Sequence, residues 1–298
     1  MNKLELLRTF VRVSELSSFT MAGESLGLPR STVSEQVQAL ESLLGTRLLQ
    51  RTTRKVQATQ DGLALYERSK DLLSHMDEIE NLFRQDEASL TGRIRIDMPN
   101  ILARRLIMPK LPEFMARHPN LELEISSTDR RVDLLAEGFD CVLRIGAQPD
   151  QSVVARHLGD FSMINCASPE YLERYGVPQT IEDLAQHRLV HYVGVLGSRS
   201  EGFVYEQDGQ VHRVPMAGSV TVNSTDAYES ACLGGFGLIQ VPRTGMNTYL
   251  DTGEVVTVLP QYTAPAMGIS LLYARQRQLP LRVRVFMDWL GDLIRSTL

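Results

Sequence analysis

Cysteine and tryptophan are scarce in this sequence: three of the first and one of the second in 298 residues, with aromatics at 6%. Cys141, Cys166 and Cys232 are isolated and odd in number, which excludes a disulfide framework and any C-x-x-C or zinc-ligand spacing. No apolar run reaches the ~18 residues that would suggest a membrane span. The opening stretch, MNKLELLRTFVRVSE, mixes charged with apolar residues and has neither a long hydrophobic segment nor a small-residue cleavage site, so a cytoplasmic location is expected. Catalytic signatures are also missing: G-x-G-x-x-G, G-x-x-x-x-G-K-[ST] and H-E-x-x-H do not occur. His187 and His191 are four apart but flank a strand-like RLV without an acidic partner. Gly234, Gly235 and Gly237 follow a helix and enter a strand, the reverse of the nucleotide-binding order. Neither an enzyme nor a metal or cofactor is expected.

What is present is an ordinary globular composition, 43% hydrophobic, with a net charge of -5 from 31 basic and 36 acidic side chains. That acidity argues against a nucleic-acid partner only until it is divided along the chain. Residues 1–58 hold eight basic and five acidic side chains, whereas 59–90 hold three and eight. Phosphates respond to local charge, because salt screens beyond a Debye length of ~8–10 Å. The sharpest basic cluster, TRLLQRTTRKVQAT, lies at the end of the positive part.

The residues before it give that cluster a context. Leu4, Leu7, Phe10, Val11 and Leu16 recur at helical spacing and predict a first helix over 3–16. Ser18 or Thr20 can cap a second through Leu26, which Gly27 ends; Pro29 suits the first turn of a third, running to Leu44. Val33, Val37, Leu40 and Leu44 form the expected buried stripe of the third helix, facing Ala22 and Leu26. Its outward side carries Arg30, Ser31, Thr32, Ser34, Glu35 and Gln38, the side chains that read base edges in a major groove. Arg47–Leu49 and Lys55–Ala58 would form the strands of a wing, with Arg51, Thr52, Thr53, Arg54 and Lys55 facing backbone phosphates. The same pattern also describes an ordinary polar helix face followed by a solvated loop.

From Thr59, a plausible N-cap, to about Asp86 the chain reads as one helix, ~42 Å long at 1.5 Å per residue. Leu65, Leu72 and Ile79 are seven apart and interleave with Met76 and Phe83, a coiled-coil dimer seam weakened by Ser69. Leu63, Leu73 and Leu82 lie off that seam and are expected to bury against the winged domain. A long surface helix within one subunit is the alternative.

Beyond residue 90, strands alternate with helices. Strands are expected at TGRIRIDMP, 121–126, 141–145, 162–166, 189–193, 236–241 and 268–273. Helices are expected at 101–117, 130–137, 169–175, 225–233 and 281–295, with a hairpin over 203–217 through Asp208-Gly209. This alternation predicts α/β layers on a mainly parallel sheet.

The segment FVRVSELSSFTMAGESLGLPRSTVSEQVQALESLLGTRLLQRTTRKVQATQDG resembles the N-terminal domain of LysR-type transcriptional regulators, and the resemblance continues through PKLPEFMARHPNLELEI, GGFGLIQVP and VRVFMDWL. It implies an N-terminal helical winged helix-turn-helix domain (1–58), a linker and dimerisation helix (59–90) and a C-terminal two-lobed α/β domain like a type 2 periplasmic binding protein (91–298). Lobe one would be 91–161 with 269–298, and lobe two 162–268, joined by two crossing strands. The implied function is sequence-specific binding of promoter DNA, modulated by a small-molecule effector in the cleft. Self-association to a dimer or tetramer and contact with RNA polymerase are also implied. Glu35 departs from the family pattern, in which a basic residue often follows the serine of the recognition helix.

Clefts in such folds lie beyond the carboxyl ends of strands and at helix N-termini. That rule selects Pro99, Asn100, Ile101, Arg144 and Asn165, and Ser224, Thr225, Asp226 and Gln240 across the cleft, a set suited to an oxygen-rich or acidic ligand. For Arg144 an ion pair within the lobe, to Asp140, is an equal reading. Some family members sense redox state through cysteine; here Cys141 and Cys232 read as core and Cys166 as a strand end near the cleft, with no basic cluster beside any thiol. Two other classes remain open at this point. One is a small-molecule binding protein whose N-terminal helices serve assembly; the other is an α/β enzyme carrying a DNA-binding domain.

Overall fold

The computed structural model describes residues 2–51, 56–81, 90–146, 153–275 and 279–298. Helix α1 (Lys3–Leu16) starts where the Asn2 side chain accepts the Leu4 amide at 3.1 Å, and α2 (Phe19–Leu26) where Ser18 accepts that of Met21. Gly27 and Gly45, both left-handed, end α2 and α3 (Arg30–Leu44). Pro29 is the N-cap of α3, one position before the expected first turn. Leu6, Phe10, Val13, Ala22, Val33, Val37 and Leu40 pack as one core with Leu48, Leu49 and Tyr66. Leu44, expected in that stripe, is exposed, because α3 outruns the helices it packs on.

Strands β1 (Leu49–Arg51) and β2 (Val56–Ala58) pair antiparallel as the wing, starting two residues later than Arg47. Helix α4 (Gln60–Asn81) begins under a Thr59 cap, whose hydroxyl accepts the Gly62 amide at 3.0 Å and donates to the Arg47 carbonyl at 2.7 Å. Gly62 is required there: a Cβ would come within 2.0 Å of the Leu48 carbonyl oxygen. Leu73 packs on the winged core, as does Leu65, but Leu63 points to solvent, since its position falls about a quarter turn away from the Gly62–Tyr66–Ser69 row. Leu82 lies outside the described residues.

In the C-terminal part, β3 (Gly92–Met98), the short α5 (Asn100–Leu102), a π turn (Ala103–Ile107), α6 (Met108–Arg117), β4 (Leu121–Ser127) and β5 (Cys141–Ile145) follow one another. Next come β6 (Val153–Phe161), β7 (Met163–Ala167), α7 (Pro169–Tyr175), β8 (His191–Tyr192) and the hairpin β9 (Phe203–Gln207) with β10 (Gln210–Val214). The chain continues with β11 (Thr221–Val222), α8 (Thr225–Leu233), β12 (Ile239–Pro242), α9 (Arg243–Asp251), β13 (Val256–Thr257), β14 (Met267–Ala274) and α10 (Leu281–Arg295).

Lobe one is a sheet of order β4-β3-β5-β14-β6, its core shared with α10 and the composite helix over 100–117. Lobe two centres on β12-β7-β13, covered by α8 and α9 on one side and by α7 and the hairpin on the other. Three expectations need correction. The sheets are mixed: β3 runs parallel to β4 and β5, but β14 is antiparallel to both its neighbours, and β7 to both of its own. The cause is that β14 arrives from the far end of the chain and inserts between β5 and β6. Residues 130–137 form turns rather than a helix, fixed by side-chain bonds of Asp133 and Glu137. Strand β6 and helix α9 were not anticipated; β6 buries only Val153, Leu158 and Phe161, a spacing without the period-two alternation of a half-buried strand.

Candidate DNA interface and effector cleft

Helix α3 turns Val33, Val37 and Leu40 inward, which leaves Arg30, Ser31, Glu35 and Gln38 exposed and Thr32 and Ser34 half-buried on the other side. Among the described residues no hydrogen bond or ion pair engages the Arg30, Glu35 or Gln38 side chain. The face is held to the wing by Glu41, whose carboxylate accepts the Leu48 amide at 2.8 Å and the Leu49 amide at 3.1 Å. Thr52, Thr53, Arg54 and Lys55 lie outside the described residues, and of Arg51 only its place in β1 is described. On α4, Leu72 and Ile79 are exposed, Met76 is half-buried, Leu65 leans on the winged core, and Phe83 lies outside the described residues. Ser69 is buried on the inner side of this helix.

The two lobes enclose a cavity of about 490 Å³. Of the nine positions selected from the sequence, Pro99, Ile101, Arg144, Thr225 and Gln240 line it. The other four do not. The Asn100 side chain turns to Ser127 at 2.8 Å, and Asp226 pairs with Arg104 at 2.6 Å on the rim. Asn165 is buried behind the wall, donating to the Leu259 and Tyr262 carbonyls and accepting from Gln240 at 2.8 Å. Ser224 is the N-cap of α8 without a side-chain cap bond, because Asp129 from the opposite lobe takes that place: it accepts from the Thr225 amide at 2.7 Å and hydroxyl at 2.9 Å.

Arg144 forms a buried ion pair with Asp97 rather than Asp140, and also donates to the Leu143 and Arg130 carbonyls. Asp140 instead accepts the Arg95 amide at 2.9 Å. A buried guanidinium with these partners is a wall element whose charge is neutralised before any ligand arrives.

The sequence reading missed several lining groups. Thr128 and Asp129 follow the carboxyl end of β4, and Tyr192 ends β8. The same strand-end rule would have found them had it been applied to every strand. Arg105 and Glu229 carried no such signal, since each lies inside a helical stretch; they meet across the cleft at 2.8 Å. Burial raises the Glu229 carboxyl above the ordinary range, opposed by Arg105 and Arg104. Burial, and then the nearby Asp129 charge, push the Tyr192 hydroxyl up to about 12, so Tyr192 is neutral and stands 5.4 Å from the Tyr228 ring. The remaining lining is largely apolar: Leu102, Leu106, Ile145, Phe161, Met163 and Met267.

All three cysteines are buried, and burial pushes the Cys166 and Cys232 thiols up to about 12 and Cys141 upward as well. These are inert core thiols at neutral pH. His187 bonds the Tyr171 hydroxyl and His191 the Ser200 hydroxyl, so the pair does not converge on a common point. Among the described residues no three potential ligands gather around a metal position, and no helix is long and apolar enough to cross a membrane.

Residues 4–63 match the model of bacterial regulatory helix-turn-helix proteins of the lysR family, and residues 87–295 that of the LysR substrate binding domain. The chain belongs to the LysR-type transcriptional regulators. It is 45% identical over 298 residues to the HTH-type transcriptional regulator YhjC of Escherichia coli (strain K12), covering the whole of both. With the HTH-type transcriptional regulator CrgA of Neisseria meningitidis it shares 30% over 295 residues, 99% of this chain and 98% of that one. The solved structure of Neisseria meningitidis CrgA superposes with a TM-score of 0.60 over 97% of both chains at 29% identity. Full-length AphB, a virulence activator of Vibrio cholerae, gives 0.59 at 29% identity over 98% and 99%. The protein is therefore a DNA-binding transcriptional regulator and not an enzyme. Proteins of this family bind DNA, self-associate as dimers or tetramers, and use small-molecule effectors rather than a metal cofactor.

Proposed function

We propose that α3 reads the operator in the major groove through Arg30, Ser31, Thr32, Ser34, Glu35 and Gln38, while Arg51 to Lys55 hold phosphates from the wing. Glu35 selects cytosine by accepting from its N4 amino group. Residues 1–58 act as the reading unit, 59–90 as the pairing helix through Leu72, Met76, Ile79 and Phe83, and 91–298 as the sensor. Dimers join into tetramers, and closure of the sensor lobes alters the spacing of the reading units and their contact with RNA polymerase. All of this takes place in the cytoplasm, where promoter DNA lies.

The single observation that carries the effector reading is the cavity of about 490 Å³ with walls from both lobes. Its apolar lining, neutral tyrosines and internally paired charges favour a small molecule with an apolar body and few polar groups. The oxygen-rich ligand suggested by the nine sequence positions fits less well, since Asn165 and Asp226 face away from the cavity and Arg144 is already paired. A selection of the full-length protein against random DNA, repeated at several salt concentrations, tests the DNA reading. An enriched palindromic site is expected, and equal affinity for all sequences would overturn it. Native mass spectrometry before and after denaturation tests the sensor reading, with the expected result a small molecule released on denaturation and restored binding of that molecule to wild-type protein but not to a Tyr228→Trp variant.

A further inference from the structure

Residues 128–140 run from the cleft between the lobes to helix α4. At one end Asp129 bridges the lobes: besides its two bonds to Thr225 in lobe two, its other carboxylate oxygen accepts the Asn100 amide at 3.1 Å in lobe one. In the middle, Leu134 and Phe139 are buried on Val153, Leu272 and Ala274 of β6 and β14 in the lobe-one sheet. At the other end the Gly138 carbonyl accepts from Lys70 of α4 at 3.0 Å and from Arg95 at 3.2 Å. Gly138 has φ +74°, and a Cβ there would meet the Tyr66 hydroxyl at 2.5 Å, so the loop lies directly against the pairing helix. Arg95 also reaches Glu15 of α1 at 3.5 Å, within an ion-pair group in which Glu15 and Glu124 share Arg12, Arg93 and Arg95.

The segment is braced so that its ends move together. The Arg130 guanidinium grips the Glu137 carboxylate with both amino nitrogens, one bond at 2.8 Å. Glu137 also accepts the Asp133 amide at 3.1 Å, and Asp133 accepts those of Leu135 and Ala136. The Arg130 bond holds the Glu137 carboxyl below its usual range, so the clasp stays charged through neutral pH.

We infer that residues 128–140 are the relay between the effector cleft and the DNA-binding half, with Asp129 as the latch at the cleft and Gly138 as the foot on Lys70 of the pairing helix. In this structure the Asp129 carboxylate holds the two lobes together. A ligand that separates Asp129 from Thr225 shifts the braced segment over β6 and β14 and withdraws its foot from α4. The relay rests on the cleft being the effector site, as proposed above, but its test needs no effector.

Amide hydrogen exchange of the full-length protein supplies that test. Asp129→Ala is expected to speed exchange about tenfold both over 225–229 and over the α4 stretch 66–73, with Asp129→Asn producing a smaller change at both. Arg104→Ala cuts a separate lobe-to-lobe pair at the rim and is expected to speed exchange over 225–229 alone. The relay is overturned if 66–73 is unchanged in the Asp129 variants, or if Arg104→Ala moves it equally. Should Asp129→Ala loosen β3 as well, a sign of global unfolding, Asp129→Asn decides by the same two outcomes. Absence of any ligand from the wild-type cleft, with the exchange pattern as expected, would sink the effector reading and leave only the mechanical coupling of 225–229 to 66–73.

Discussion

Helix α3 and the cleft are built from the same kinds of side chain and use them in opposite ways. On α3, Arg30, Glu35 and Gln38 project into solvent with no partner among the described residues. In the cleft, Arg144 is bound to Asp97, Arg105 to Glu229, Asp129 to Thr225 and Gln240 to Asn165 and Val204. A surface that meets a polyanion can leave its donors hydrated until contact, because water satisfies them at little cost. A cleft walled by apolar groups cannot, since an unpaired buried polar group costs about 1–3 kcal/mol. On the proposed reading, the α3 face is ready before its partner arrives, whereas the cleft must exchange internal bonds for ligand bonds.

The largest test of that contrast removes a committed charge. Arg144→Met strands the fully buried Asp97 and is expected to cost about 3–5 kcal/mol of stability in denaturant unfolding. An unchanged midpoint would mean that the cleft charges are not paired as described. Next is the junction between the two regions: Glu15, buried and facing three arginines, is expected to lose about 2–3 kcal/mol on change to Gln. Calorimetry would then resolve the winged domain as a separate transition. Changing an uncommitted side chain has the opposite signature. Arg30→Ala should weaken operator binding by about 1–3 kcal/mol and relax preference at one base position, with no shift in melting temperature. A loss of stability there would break the comparison.

The smallest expected effect is a pH slope in lobe two. Burial lowers the His187 pKa below 6.5, partly offset by Asp183. The folded state therefore binds this proton less readily than the unfolded chain. Its contribution is complete above about pH 6.5 and is lost as pH falls through the folded value. Melting measured between pH 7.5 and 5.5 should decline less steeply in His187→Gln than in wild type.

Much of the N-terminal part was legible in the sequence, because it is made of local contacts. Helix α1 matches its expected range, α2 ends at the expected Gly27 and α3 at the expected Leu44, since capping residues and a 3.6-residue period act within a few positions. Strand β6 was not legible, because its pairing depends on β14, more than a hundred residues later. The cleft was half legible. Rules about strand ends found Pro99, Ile101, Arg144, Thr225 and Gln240, but the direction of Asn165 and Asp226 depends on neighbours from distant segments.

The order of three short helices and a basic hairpin in the positive first 58 residues, with the family resemblance it carries, pointed to a DNA-binding regulator. Those features lie in composition and in short-range order, which the sequence carries directly. Only the tertiary structure decided that Arg144 pairs with Asp97 and not Asp140, that Asp129 crosses to the opposite lobe, and that Gly138 rests on Lys70. The partner of a buried charge is set by which distant segments folding brings together, and no local pattern records that choice.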